Sequence, residues 1–163
     1  MSIKQMEVSY SKNEDRVFLV LKTTKQESLN FALTRRICQS ILSNINDIFP
    51  SNKLIEAEFS SLEKSRNQDG FSEEEDLKII YPLGEQAVLV TKYQVLSHSD
   101  DMVKVSMSCL GDKIVKLNID ISAFNNVLVL LGRVLHDADW GLDYLINKYG
   151  FSYSKSENVR FFN

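Results

Sequence analysis

The sequence predicts an α+β domain of two pseudo-symmetric halves, each reading strand, strand, strand, helix, with a mostly antiparallel sheet and packed helices. Three observations predict it. The apolar pattern repeats at an offset of 86 positions, so that Val17, Leu19 and Leu21 fall on Val103, Val105 and Met107, and Leu29, Phe31 and Leu33 on Val115, Leu117 and Ile119. The apolar period changes from two to three-and-four at the same point of each half. The acidic turns Glu14-Asp15 and Asp100-Asp101 also coincide.

The elements follow in order. Residues 7–10 alternate weakly and read as a strand, and residues 11–15 form a polar turn. Residues 16–22 are rich in β-formers. Their continuous apolar run predicts a central strand covered on both faces. Residues 28–33 alternate with period two, as a strand with one buried face does. Thr34 then caps a helix, its hydroxyl free to accept an otherwise unpaired backbone N–H. Cys38, Ile41, Leu42, Ile45, Ile48 and Phe49 make one buried stripe, and Pro50 ends the helix. That stripe falls on Phe124, Val127, Leu128, Leu131, Val134 and Leu135 of the second half.

A second helix is expected over residues 51–66, with Ile55, Phe59 and Leu62 as its apolar stripe. Residues 67–78 read as an acidic linker around Glu73-Glu74-Glu75-Asp76. The first half thus runs over about 5–66 and the second over about 84–150. Strands are expected at 87–96, 102–109 and 114–119. Lys104, Ser106 and Ser108 take the outward face of the middle one. Asp120 or Ser122 caps a helix over 124–136, which is apolar nearly all round and needs cover on both sides. A short helix over 140–148 stops at Gly150, and the Ser-rich tail 151–163 reads as loose. Val17, Leu19, Leu29, Phe31, Val105, Leu117, Leu128 and Leu131 are the expected core.

With 163 residues, 44% hydrophobic and 25% charged, the chain has the makeup of a single globular domain. No apolar run is long enough to span a membrane. The opening Met1-Ser2-Ile3-Lys4-Gln5-Met6-Glu7 lacks the apolar core of a secretory signal. Cys38 and Cys109 sit inside apolar patterns, as buried thiols in a reducing cytoplasm do. The expected localisation is therefore cytoplasmic, with no membrane partner.

Chemistry-bearing patterns are sparse. No nucleophile elbow, zinc-protease helix, P-loop or dinucleotide fingerprint occurs. No catalytic residue, metal ligand or cofactor is assigned. His136, Asp137 and Asp139 lie too close in sequence to face one ion from a helix. Thr34, Arg35 and Arg36 at a helix start could form an anion or partner site, since unpaired N–H groups and guanidinium groups both favour an anion. The bland alternative is surface arginines paired with Glu14 or Asp15.

The segment Glu14-Asp15-Arg16-Val17-Phe18-Leu19, followed by Ala32-Leu33-Thr34-Arg35-Arg36, resembles small uncharacterised bacterial proteins with the same opening. The resemblance covers roughly the first 50 residues, with an echo in Trp140-Gly141. It implies a bacterial cytosolic origin and brings no activity with it.

Three functions are expected, in this order. The first is a non-enzymatic cytosolic interaction or assembly module, with a protein partner or self-association. The second is single-stranded nucleic-acid binding through a sheet face, by similarity of architecture to Whirly and PUR-type proteins, with Lys22, Lys104, Lys116, Tyr10 and Tyr93 as the candidate face. The third is an enzyme or small-ligand binder without a recognisable motif. Convergence of those lysines and tyrosines on one sheet face is what separates the second from the first.

Overall fold

The computed structural model describes residues 3–49 and 79–148. The helix expected over 51–66, the acidic linker over 67–78, Gly150 and the tail 151–163 lie outside the described residues. Six strands form one mostly antiparallel sheet in sequence order, with helices packed on it. They are β1 (Ile3–Ser11), β2 (Arg16–Thr23), β3 (Ser28–Leu33), β4 (Val88–His98), β5 (Met102–Cys109) and β6 (Lys113–Asp120). The helices are α1 (Arg35–Ser43), α2 (Ile45–Ile48), α3 (Ile121–Asp137) and α4 (Asp143–Lys148).

Neighbouring strands are antiparallel except at the join, where β3 and β4 run parallel through only Phe31↔Val88 and Ala32↔Leu89. The bounds of β2 and β5 differ by 86 positions at both ends. The register keeps the same offset: Leu19 faces Phe31 in the first hairpin, and Val105 faces Leu117 in the second.

The period-two strands put Val17, Leu19, Leu21, Leu29 and Phe31 on one face with Val103, Val105, Met107, Leu117 and Ile119. Every core residue expected from the sequence is buried. On that face α1 lies chiefly against β4, while α3 lies chiefly against β1 and also reaches β5, β6 and α4. The helix of each half therefore covers the first strand of the other. This is why α3 is apolar almost all round: its buried residues Phe124, Val127, Leu128, Leu131 and Leu135 meet a surface assembled from both ends of the sheet.

The structure corrects three expectations. β2 is not covered on both faces: Val17, Leu19 and Leu21 are buried, whereas Phe18 and Val20 stay half-buried on the opposite face and outside the core cluster. The helix expected from Thr34 to Phe49 is two helices meeting at Asn44, which ends α1 and starts α2. At the break the Asn44 backbone N–H turns back to the Ile41 and Leu42 carbonyls, and asparagine is a weak helix former, so no glycine or proline is needed there. The last helix begins at Asp143, because positive φ at Asp139 and Gly141 precludes a helix across Trp140.

Candidate functional site

The sheet face opposite the helices is the first candidate surface. Register assigns to it Arg16, Phe18, Val20 and Lys22 of β2, Leu89, Lys92 and Gln94 of β4, Lys104, Ser106 and Ser108 of β5, and Ile114, Lys116 and Asn118 of β6. Residues directly opposite in neighbouring strands lie on the same face within about 5 Å. Lys92 faces Ser108, Lys104 faces Asn118, and Lys116 faces Ser106. No cation here sits directly opposite a carboxylate, and Glu7 and Asp120 are the acids that the strands place on this side. A salt bridge lies elsewhere, between His136 Nδ1 and Asp143 Oδ1 at 3.1 Å.

Lys22, Lys104 and Lys116 thus share one face, as the nucleic-acid reading requires. Tyr10 and Tyr93 do not join them. Tyr10 pairs with Val17 and Tyr93 with Met107, so both rings point to the helix-covered side. Tyr93 is 7% exposed, and its hydroxyl has no hydrogen-bond partner. Burial pushes that phenol well above its usual range. Phe18 is the aromatic ring that the described strands present on the lysine side.

An open groove of about 810 Å3 lies between Arg16 and the segment that leads into β4. Arg16, Leu83, Glu85, Val88, Leu89 and Leu110 contribute to its lining. The segment before β4 is held by Asn30 Nδ2, which donates to the Glu85 carbonyl at 2.8 Å, and by Lys113 Nζ, which donates to the Leu83 carbonyl at 3.2 Å. Leu110 is 67% exposed and Ile114 64%.

The expected anion site at the start of α1 is only partly assembled. Thr34 caps the helix as predicted, its Oγ1 accepting from the Ile37 N–H at 3.4 Å. Arg35 and Arg36 are both exposed and diverge. Arg36 Nη2 reaches the Thr91 carbonyl at 3.5 Å, toward β4. Arg35 turns toward the β1–β2 hairpin. There it meets a cluster that sequence reasoning missed. Asp15 Oδ1 accepts from the Tyr10 hydroxyl and from Trp140 Nε1, each at 2.7 Å. The Tyr10 and Trp140 rings meet edge to face, with centroids 5.6 Å apart.

These two donors hold the Asp15 carboxyl below its usual range, and the Arg35 guanidinium adds to the effect from a distance. The same bond to Asp15 raises Tyr10. Gly141, at φ 65°, keeps the place a Cβ would occupy open to Arg35 Nη2, 3.9 Å away. The three sequence pieces that carry the resemblance therefore converge in space: Asp15, Arg35, and the Trp140-Gly141 pair. No sequence signal paired Asp15 with Trp140, because the contact spans 125 positions and two irregular turns.

Elsewhere the chemistry is thin. No group of three or more His, Cys, Asp or Glu able to hold a metal ion occurs among the described residues. Cys38 and Cys109 are free and buried, and burial pushes the Cys38 thiol up to about 12. A polar groove of about 390 Å3 runs beside the end of β4, lined by Asn44, Asp47 and Gln94 to His98. No described helix is long and apolar enough to cross a membrane.

Fold and surface together define an α+β protein with a single sheet, helices on one side and a cationic face on the other. Compared with protein-family models, curated proteins and solved structures, the chain finds no match.

Proposed function

We propose that this protein is a non-enzymatic cytoplasmic interaction module that takes an anionic partner on its open sheet face. The observation that supports this reading is the gathering of Arg16, Lys22, Lys92, Lys104 and Lys116 on that face. The chain as a whole is acidic, with a net charge of -3, so a local excess of cations is selective in position. A second copy docked face to face would set lysine against lysine, which favours an unlike partner over self-association at this surface.

Single-stranded nucleic acid is the second reading. The shared face of Lys22, Lys104 and Lys116 favours it, together with the serine and asparagine side chains between them, which can contact phosphate. With Tyr10 and Tyr93 on the covered side, such binding would run through phosphates rather than stacked bases, and affinity would fall steeply with salt.

Fluorescence anisotropy with labelled oligothymidylate and labelled poly-glutamate tests both. The expected result is saturable, salt-dependent binding to at least one polymer, weakened by Lys104→Ala together with Lys116→Ala while the fold is kept. Preference for oligothymidylate would select the second reading. Binding to neither polymer at low salt would overturn the proposal.

A further inference from the structure

We propose that the protein forms a two-fold dimer through β6, whose outer edge pairs antiparallel with the same edge of a second copy, Lys116 of each copy facing Asp120 of the other. The inference goes beyond the reading of the open face, which needs no second copy.

β6 ends the sheet, with β5 on one side and no described strand on the other. Its pairing with β5 runs through eight consecutive positions without a register shift, from Cys109↔Lys113 to Met102↔Asp120. The strand holds no proline. A regular edge of this kind keeps a row of backbone N–H and C=O groups that a further strand can satisfy. The opposite edge is guarded. There β1 carries an irregularity between Ile3 and Gln5, and α3 packs against it.

Backbone pairing alone would accept any extended chain, and the charges select the copy. Lys116 and Asp120 are exposed on the same face, opposite Ser106 and Met102 of β5. Among the described residues neither side chain has a hydrogen bond or an ion pair, and Asp120 does not cap the helix that follows. β6 thus has its cations, Lys113 and Lys116, toward its start and its carboxylate at its end. An antiparallel copy sets each end against its complement, whereas a parallel copy sets like against like.

A lysine in an edge strand ordinarily deters pairing. Here it admits one register. With Lys116 opposite Asp120 of the second copy, Asn118 faces Asn118 across the axis, and Leu117 faces Ile119 on the helix-covered side. The paired stretch, residues 116–120, has the length of an ordinary strand. Sliding the copy by four residues would set Lys116 against Lys116, and like charges directly opposite disfavour pairing. The axis stands perpendicular to the sheet, so the contact is isologous. The helices of both copies stay on one side, and the two lysine faces join on the other.

Sedimentation velocity on the full chain, with no polymer present, reads the assembly. Expected is a concentration-dependent dimer. Lys116→Asp and Asp120→Lys should each raise its dissociation constant about tenfold, because each sets like charges opposite at two places in the dimer. The two substitutions combined should restore the parent value. Both side chains are exposed, and an unchanged circular dichroism spectrum certifies the fold of each variant.

Asn118→Cys gives a second readout that alters no charge. Mild oxidation should cross-link it into a dimer, whereas Lys104→Cys, one strand further in on the same face, should stay uncross-linked. The natural Cys38 and Cys109 are buried and do not compete. A chain that sediments as a monomer at every concentration overturns the proposal. So does a dimer that neither single reversal weakens, or one that the double reversal does not restore. If such a monomer still binds polymer through Lys104 and Lys116, the open-face reading stands and only the edge pairing fails.

Discussion

Trp140 Nε1 donates to Asp15 Oδ1 at 2.7 Å, joining the turn after α3 to the first hairpin across 125 positions of sequence. Both ends of this contact are conformationally set. Asp15 sits at φ 49° and Asp139 at φ 52°, in the left-handed region that aspartate tolerates better than most side chains. One carboxylate oxygen satisfies two donors, the Trp140 indole and the Tyr10 hydroxyl, so the edge of β1, the turn before β2 and the end of α3 are fixed together. Since α3 also covers β1, the clasp closes a packing arrangement that the core has already chosen.

Removing the ring and removing the bond should therefore differ. Trp140 is 6% exposed, and Trp140→Ala should destabilise the protein by about 3–5 kcal/mol, the range for emptying a large aromatic site. Trp140→Phe keeps most of the bulk but deletes the indole N–H, leaving the half-exposed clasp short of one donor. Its cost should be much smaller, near the ~1 kcal/mol of a single hydrogen bond. Urea unfolding followed by circular dichroism measures both. Equal losses for the two variants would show that the bond, not the ring, carries the contact.

The clasp should also respond to acid with a defined sign. Asp15 titrates below its ordinary value of 3.8 because Tyr10 and then Trp140 hydrogen-bond the charged form. A depressed native value contributes stability above the unfolded value and loses it as pH falls through the native one. The contact should accordingly be intact at neutral pH and open only below about pH 4. Trp140 is the sole tryptophan, so its indole N–H resonance and its emission report the clasp alone. In Asp15→Asn that acid transition should vanish, and a transition that persists would belong to another carboxylate.

Much of the fold was legible because two periodicities suffice for it. Alternation in residues 28–33 and 102–109 marks strands, and their bounds match the observed β3 and β5, but β3 is buried on both faces, with Ser28 and Ala32 covered on one side and Leu29, Phe31 and Leu33 on the other. The stripe from Cys38 to Ile48 marks helical backbone, divided at Asn44 into α1 and α2, and Thr34 caps its start. What the pattern could not distinguish is how many faces of a strand are covered. Phe18 and Val20 belong to a continuous apolar run that reads as a strand covered on both faces, yet they lie half-buried on the open side, since much of a folded protein's surface is apolar. Candidate chemistry was harder still. Lys22, Lys104 and Lys116 come together through alternation and register, both readable in the sequence. Tyr10 and Tyr93 fall on the other side, because the two bulges of β4 and the register of β1 reset which residues share a face.

The crossed packing of the helices predicts how the molecule unfolds. Leu128 is fully buried in α3, which lies against β1 at one end of the sheet and β5 and β6 at the other. Leu128→Ala should cost about 2–5 kcal/mol, as for other buried leucines. If α3 belonged to the second half alone, the loss would fall on that half, and the first would unfold separately at its original midpoint. Because α3 also closes β1, and α1 closes β4, both halves should lose stability together. Emission from Trp140, clasped to the first hairpin, and backbone circular dichroism should then report one shared urea midpoint in the variant, lower than the parent's. Hydrogen exchange gives the sharper view: amides of β1, some hundred positions from the substitution, should lose protection alongside those of β5. A variant whose β5 amides exchange faster while β1 amides keep the parent rate would show that the halves are separate folding units, and that the reach of α3 across the sheet does not couple them.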